Sequence, residues 1–416
     1  MPNDAFGHPQ PTSRTDGAPE AAVASRRGFA TRAIRTGQDP DSATGATIVP
    51  IYQTATFTQE AVGKHKGFDY SRSGNPTRSA LERQLADLEG ANFAVAYGSG
   101  MAAANGASFS FLRAGDHIVA TKDLYGGTFR LFADVFTRYG IETSFVEMCD
   151  IEETRAAIRP NTKIIWVETP TNPLLKIIDI RAIAALKKPG QIVVADNTFA
   201  TPYWQNPLEF GADVVMHSTT KYLGGHSDTV GGIVMTNDEE LYRQFAYQQN
   251  AVGAVPGPWD AYLVVRGTKT LALRMREHER NAHAVARFLE SRDDVAAVYY
   301  PGLASHEHHE LAKRQMRGFG GIVSFRHRGG ADAALAFVRS TQLFNLATSL
   351  GGVESLVCSP WTMTHGSVPP EHKTALGIGQ DLVRLSVGIE DEADLLADLS
   401  RALDVARAEA PVFAIA

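Results

Sequence analysis

From about residue 75 the chain alternates short, continuously apolar runs with stretches of helical periodicity. The runs are Phe93–Tyr97, His117–Thr121, Ile164–Val167, Ile192–Ala195 and Asp213–Met216. Between them lie segments such as Thr77 to Gly90, with Leu81, Leu85 and Leu88 at helical spacing and a glycine at the end. A strand that is apolar along its length has no face to give to water, so it belongs in a sheet covered on both sides. The pattern therefore predicts an α/β fold with a mostly parallel central sheet covered by helices.

The organisation around that block follows from the same reading. Residues 1–26 are rich in Pro, Ala, Ser, Asp and Gly without periodicity, which predicts a disordered N-terminus. Residues 27–70 read as short turns and extended pieces, too irregular to form a domain alone. A large domain is expected over 71–270, and a long helical stretch at about 259–292 bridges to a smaller C-terminal α+β domain, 271–416. That unit mixes strands (Val295 to Tyr300, Ile322 to Arg326, Val383 to Val387) with helices such as Glu392 to Ala408. A length of 416 residues matches about two to three domains.

Composition excludes several classes of partner. Forty basic residues stand against 46 acidic ones, a formal charge of −6 without clustering. That leaves no electrostatic footprint for nucleic acid or an anionic membrane, and no apolar run is long enough to span a bilayer. The two cysteines, Cys149 and Cys358, are far apart and in no CxxC arrangement. No disulfide framework or thiolate metal site is expected, and a reducing cytoplasm is the expected setting. Ser25-Arg26-Arg27-Gly28-Phe29 resembles a twin-arginine export motif, but Arg32 and Arg35 fall where an apolar segment should follow.

The chemistry centres on Lys221. A lysine is ordinarily a solvated surface charge. This one follows an apolar strand and the pair Thr219-Thr220, and the only other formal charges between Gly211 and Met235 are those of Asp213 and Asp228. The carboxyl end of a sheet strand is where open α/β sheets bind ligands. A desolvated lysine there can serve as a Schiff-base amine and then as a proton shuttle. Asp196 ends the strand before, one strand–helix–strand unit away, and taken alone reads as a strand-end cap. Together the two supply what pyridoxal phosphate demands: an amine for its aldehyde and a carboxylate against its ring nitrogen.

Gly98-Ser99-Gly100-Met101, at a strand-to-helix turn, suits a phosphate, with Ser218 and Thr220 as further donors. The same string fits G-x-G-x-x-A with Asp123 downstream, so a nicotinamide-dependent oxidoreductase is the competing class; it leaves Asp196 and Lys221 unexplained. Tyr125 opens the turn Tyr125-Gly126-Gly127, where an aromatic ring either stacks on a pyridine or packs in the core. Arg384 stands inside the apolar strand Leu382–Val387, and its fork suits a substrate α-carboxylate or a structural ion pair. His306-Glu307-His308-His309-Glu310 reads as the start of a surface helix rather than a metal site. Gly318-Phe319-Gly320-Gly321 reads as a turn.

Several strings resemble the Cys/Met-metabolism enzymes that use pyridoxal phosphate, the cystathionine γ-synthase and γ-lyase group. They include Pro50-Ile-Tyr-Gln-Thr54, Tyr70-Ser-Arg-Ser-Gly-Asn-Pro-Thr-Arg78, Glu168-Thr-Pro-Thr-Asn-Pro173, Ser218-Thr-Thr-Lys-Tyr222, Gly225-His-Ser-Asp228 and Ser349-Leu-Gly-Gly352. The resemblance runs from about 30 to 410 and implies the fold type I of pyridoxal-phosphate transferases. It implies that Lys221 carries the cofactor, Asp196 meets the ring nitrogen, and Tyr125 stacks on the ring. Ser99, Gly100, Met101, Ser218 and Thr220 would hold the phosphate, with Tyr70 and Arg72 reaching the cofactor of a neighbouring subunit in a homotetramer. That makes 27–70 an arm. Arg384, Asn172, Ser349 and Arg130 would meet the amino-acid substrate.

The implied activity is γ-elimination or γ-replacement on sulfur amino acids. The expected type is the γ-lyase, giving cysteine, 2-oxobutanoate and ammonia from cystathionine. The alternatives are the γ-synthase, and an activity like methionine γ-lyase. The last arises because the family's Ala-Glu-Ser-Leu-Gly-Gly reads here Ala347-Thr348-Ser349-Leu350-Gly351-Gly352. Thr348 cannot supply the glutamate's charge near the distal amino group.

Overall fold

The apolar runs of the first half become buried strands. The computed structural model describes residues 27–409, so the segment 1–26, expected to be disordered, lies outside the described residues. One sheet contains β1 (Phe93–Tyr97), β2 (His117–Thr121), β3 (Glu142–Val146), β4 (Thr162–Glu168), β5 (Ile192–Asp196), β6 (Val214–Ser218) and β7 (Gly232–Thr236). Its order is β1-β7-β6-β5-β4-β2-β3. The pairs among β2 to β6 are parallel, while β7 runs antiparallel to both β6 and β1.

The sequence reading passed over β3 and β7. Glu142-Thr-Ser-Phe-Val146 is an edge strand with a partly exposed, polar face, so it carries no continuous apolar signal. β7 follows the loop after Lys221 with no helix between it and β6. A parallel crossover needs such a connection, so β7 returns antiparallel.

Helices cover both faces. In β6, Val214 and Met216 pack with α3 (Gly100–Phe109), and Val215 packs on the other side with α2 (Pro76–Glu89), which follows the short α1 (Phe29–Arg35). α2 begins one residue before the expected Thr77 and ends at the expected glycine. Asn75 caps it by accepting from Thr77 N at 3.0 Å, and Gly90 closes it at φ 78°. After α4 (Gly126–Arg130), the long helix expected near 259–292 is two helices, α5 (Pro258–Thr268) and α6 (Leu271–Glu290). At the break the Thr268 hydroxyl donates to Leu223 O and the Thr270 hydroxyl to Gly267 O, side-chain bonds of the kind that compete with the helical ladder.

A second sheet holds β8 (Val295–Tyr299), β9 (Ile322–His327), β10 (Asn345–Leu346), β11 (Leu356–Cys358) and β12 (Leu382–Ser386), in the order β10-β11-β12-β9-β8. α7 (His309–Gln315) lies between β8 and β9 in sequence. Val383, Leu385 and Val387 join the core formed with α6 and the final helix α8 (Glu392–Glu409). Strand alternation then points Leu382, Arg384 and Ser386 to the opposite face, and Arg384 reaches Asn172 in the loop after β4.

Candidate active site

A cavity of about 250 Å³ opens at the carboxyl ends of β4, β5 and β6. Lys221, Asp196, Tyr125, Ser99, Gly100, Met101, Ser218, Thr220, Asn172, Ser349 and Arg384 all line it. Asp196 and Lys221 thus face one crevice, brought there by the ends of adjacent strands. β5 stops at Asp196, whose Oδ1 accepts from Thr198 N at 3.0 Å. Burial pushes the Asp196 carboxyl above the usual carboxylate range, against the pull of Thr198.

Lys221 sits just past β6, and its Nζ donates to Ser349 Oγ at 2.8 Å. Burial, helped by the Arg384 charge, brings its ammonium down to about 8. Ser349 is held at φ 145°, a backbone state that a non-glycine residue keeps only where its surroundings insist, often at functional sites. Its carbonyl accepts from Arg384 Nη2 at 2.9 Å, and Asn172 Oδ1 accepts from Nη1 at 2.9 Å. Both partners are neutral, and among the described residues Nε has none. The ion pair considered for Arg384 is therefore not made by these bonds. A guanidinium only 2% exposed keeps its charge turned toward the cavity.

The other end of the cavity suits a phosphate. α3 begins there, and the first N–H groups of a helix have no acceptor within it. Ser99 Oγ caps the turn by accepting from Ala102 N at 3.0 Å. A Cβ on Gly100 would come within 2.7 Å of Ser218 Oγ, so glycine keeps the Ser218 hydroxyl beside the helix end. Tyr125, 39% exposed, puts its ring over the cavity because Gly127 leaves room. A Cβ there would lie 2.4 Å from a ring carbon. The donor set fits pyridoxal phosphate: N–H and hydroxyl groups at one end, a buried carboxylate for the ring nitrogen, and an amine with a lowered proton affinity.

Sequence reasoning gave no role to Glu168, which ends β4 beside Asp196 in register and also lines the cavity. Its Oε2 accepts from Tyr125 N at 2.9 Å. Burial and the Asp196 charge push its carboxyl well up. The signal was available, since an acid ends the apolar run Ile164–Val167 just as Asp196 ends its own. Thr348 lines the cavity as well, whereas Thr364 arrives from a loop that no pattern marks.

Arg130, expected at the substrate, is not brought here, and Tyr70 and Arg72, expected to reach a neighbouring subunit's cofactor, do not line this cavity. Tyr70 is exposed, and Arg72, also exposed, donates to Asn250 O at 2.6 Å. Arg130 is exposed at the end of α4 and does not line the cavity. Asp123, the carboxylate a nicotinamide ribose would require, is fully buried and accepts from Thr171 Oγ1 at 2.7 Å. It is absent from the cavity wall. His309 opens α7, and among the described residues no group of three or more His, Cys, Asp or Glu is placed to hold a metal ion. Among the same residues no helix is long and apolar enough to cross a membrane.

Comparison with known proteins matches residues 30–404 to the family model of the Cys/Met metabolism PLP-dependent enzymes. The cystathionine gamma-synthase of Mycobacterium tuberculosis is 57% identical over 378 residues, 90% of this chain and 97% of the relative. The cystathionine gamma-lyase of Bacillus subtilis is 50% identical over 372 residues, 89% and 98%. The crystal structure of metB from Corynebacterium glutamicum superposes with a TM-score of 0.90 at 51% identity, covering 92% of this chain and 99% of that one.

Proposed function

The chain belongs to the Cys/Met-metabolism family of pyridoxal-phosphate-dependent enzymes, and from that premise we propose that it carries out γ-replacement on an activated homoserine. A cysteine thiolate takes the place of an O-acyl group, giving cystathionine and the free carboxylate. The observation that carries an amino-acid substrate is Arg384: a buried guanidinium that, among the described residues, bonds only neutral oxygens, in the same cavity as Lys221 and Asp196. What favours the synthase direction is the 57% identity to the mycobacterial γ-synthase. The γ-lyase reaction is the second reading, favoured by the 50% identity to the Bacillus enzyme.

Pyridoxal phosphate, when bound, supplies an electron sink that acidifies first the Cα and then the Cβ protons of an amino acid joined to it. The chain's residues do the rest. Arg384 takes the α-carboxylate in a fork and thereby aligns the Cα–H bond with the Lys221 side chain. Lys221, with its proton affinity lowered to about 8, takes that proton at Nζ. Asp196 would hold the ring nitrogen of the bound cofactor and keep it protonated. Ser349 accepts a hydrogen bond from Nζ and holds the amine at the substrate's side of the cavity. Glu168 fixes the backbone of Tyr125 and so the ring over the cavity.

Tyr70 and Arg72 lie outside this chain's own cavity, and we assign them to the phosphate of a neighbouring copy in a homotetramer. The free Cys149 and Cys358 suit a cytoplasmic setting.

Product analysis of the purified enzyme tests the reaction. O-succinyl- or O-acetylhomoserine with cysteine is expected to give cystathionine faster than cystathionine gives 2-oxobutanoate. The opposite ratio selects the lyase, and inertness toward these substrates and methionine ends the γ-chemistry reading. Thr348→Glu is expected to raise kcat/KM for cystathionine relative to methionine by about fivefold, the worth of one exposed charge pair. An unchanged ratio removes position 348 from distal recognition.

A further inference from the structure

Glu89 is the last residue of α2, completely buried, and the mechanism does not use it. A carboxylate at a helix C-terminus opposes the helix dipole, and its burial is unfavourable without partners. Its partners are specific. Oε2 lies 2.8 Å from His217 Nε2, Asn197 Nδ2 stands 3.5 Å from each oxygen, and Asn206 Nδ2 donates to Oε1 at 3.4 Å. A buried pair of this kind adds little net stability, which leaves its placement to be explained.

His217 is the residue before Ser218, and Asn197 is the residue after Asp196. Neighbours on a strand point to opposite faces. One carboxylate therefore grips, from the α2 side of the sheet, the two strand ends that present Asp196 and Ser218 to the cavity on the α3 side. The grip extends further. Asn197 Oδ1 accepts from Gln205 Nε2 at 2.9 Å, Gln205 Nε2 also reaches Thr169 O at 3.2 Å, and Gln205 Oε1 accepts from Gln315 Nε2 of α7 at 3.0 Å. All of these side chains are buried.

We propose that Glu89 and His217 are positioning residues that set the separation between the ring-nitrogen acid, Asp196, and the phosphate hydroxyl, Ser218. This rests on the reading that those two residues hold the cofactor.

The test is made on Glu89→Gln and His217→Asn, with Asn206→Ala as the comparison. Asn206 bonds the same carboxylate but adjoins no cofactor residue. Three quantities are measured: the dissociation constant for pyridoxal phosphate by equilibrium dialysis, the visible circular dichroism of the bound cofactor, and the urea midpoint. In the first two variants the dissociation constant should rise about tenfold, as when residues that orient a site's own ligands are changed. The dichroic band should change shape, and the loss of affinity should exceed what any fall in the urea midpoint accounts for. Asn206→Ala should lower only the midpoint. The proposal is overturned if affinity and dichroism stay unchanged, if affinity falls only in step with stability (a variant that does not fold included), or if Asn206→Ala behaves like the other two. A parent enzyme without cofactor on Lys221 would instead overturn the function proposed above.

Discussion

Replacing Lys221 by alanine is expected to remove both the covalent cofactor and turnover. Among the described residues the one side-chain hydrogen bond of Lys221 is to Ser349 Oγ, so little else depends on it. An ammonium largely removed from water and, among the described residues, paired with no acid is unfavourable to folding, so with both proteins free of cofactor the melting temperature of Lys221→Ala should be level with the parent's or higher. Turnover should fall by about four orders of magnitude, because the same amine both bonds the cofactor and moves the Cα proton. Borohydride reduction followed by peptide mapping reads the first effect. The parent should carry the label at residue 221 and Lys221→Ala none. A label at any other lysine would undo the assignment of the whole cavity.

The legible part of this molecule is the part where residue type and position repeat a simple rule. Continuous apolar runs gave β1, β2, β4, β5 and β6, because a strand buried on both faces leaves no room for alternation. The spacing of Leu81, Leu85 and Leu88 placed α2, and Gly90 marked its end by local chemistry alone. Acids and amines at strand ends pointed to Asp196 and Lys221 for the same reason that open sheets bind ligands at that edge. What stayed hidden depends on contacts between distant segments. β7 owes its direction to the lack of a helix after Lys221, and the break before Leu271 owes its place to Leu223 and Gly267 carbonyls. Glu89 looked like the end of an amphipathic helix, and nothing local says that Asn197 and His217, more than 100 residues away, meet its carboxylate. Tyr70 and Arg72 are hidden differently, since a single chain does not contain the cavity we assign them to.

Arg384→Leu provides the second large effect. Truncating one member of a buried, hydrogen-bonded charge pair costs about 2 to 5 kcal/mol, so KM for the amino acid should rise roughly a hundredfold. Arg384→Lys keeps the charge but loses the fork that Asn172 and Ser349 hold in place, and should fall between the two. The leucine also leaves those two acceptors without their donor, so some stability is lost. A split between KM and kcat separates that loss from lost recognition: a reduced folded fraction lowers the apparent kcat and leaves KM alone. The same substitution has a consequence at Lys221. Reconstitution of the cofactor-free chain requires the neutral amine, so its rate should climb as pH rises through about 8, where burial and the Arg384 charge place Lys221. With the guanidinium gone the ammonium is less disfavoured, and the midpoint of that climb should move to higher pH. Stopped-flow absorbance of pyridoxal phosphate addition across the pH range measures it. A midpoint that does not move would mean the two cations do not share one cavity, and Arg384 would then lose its place opposite the reacting amine.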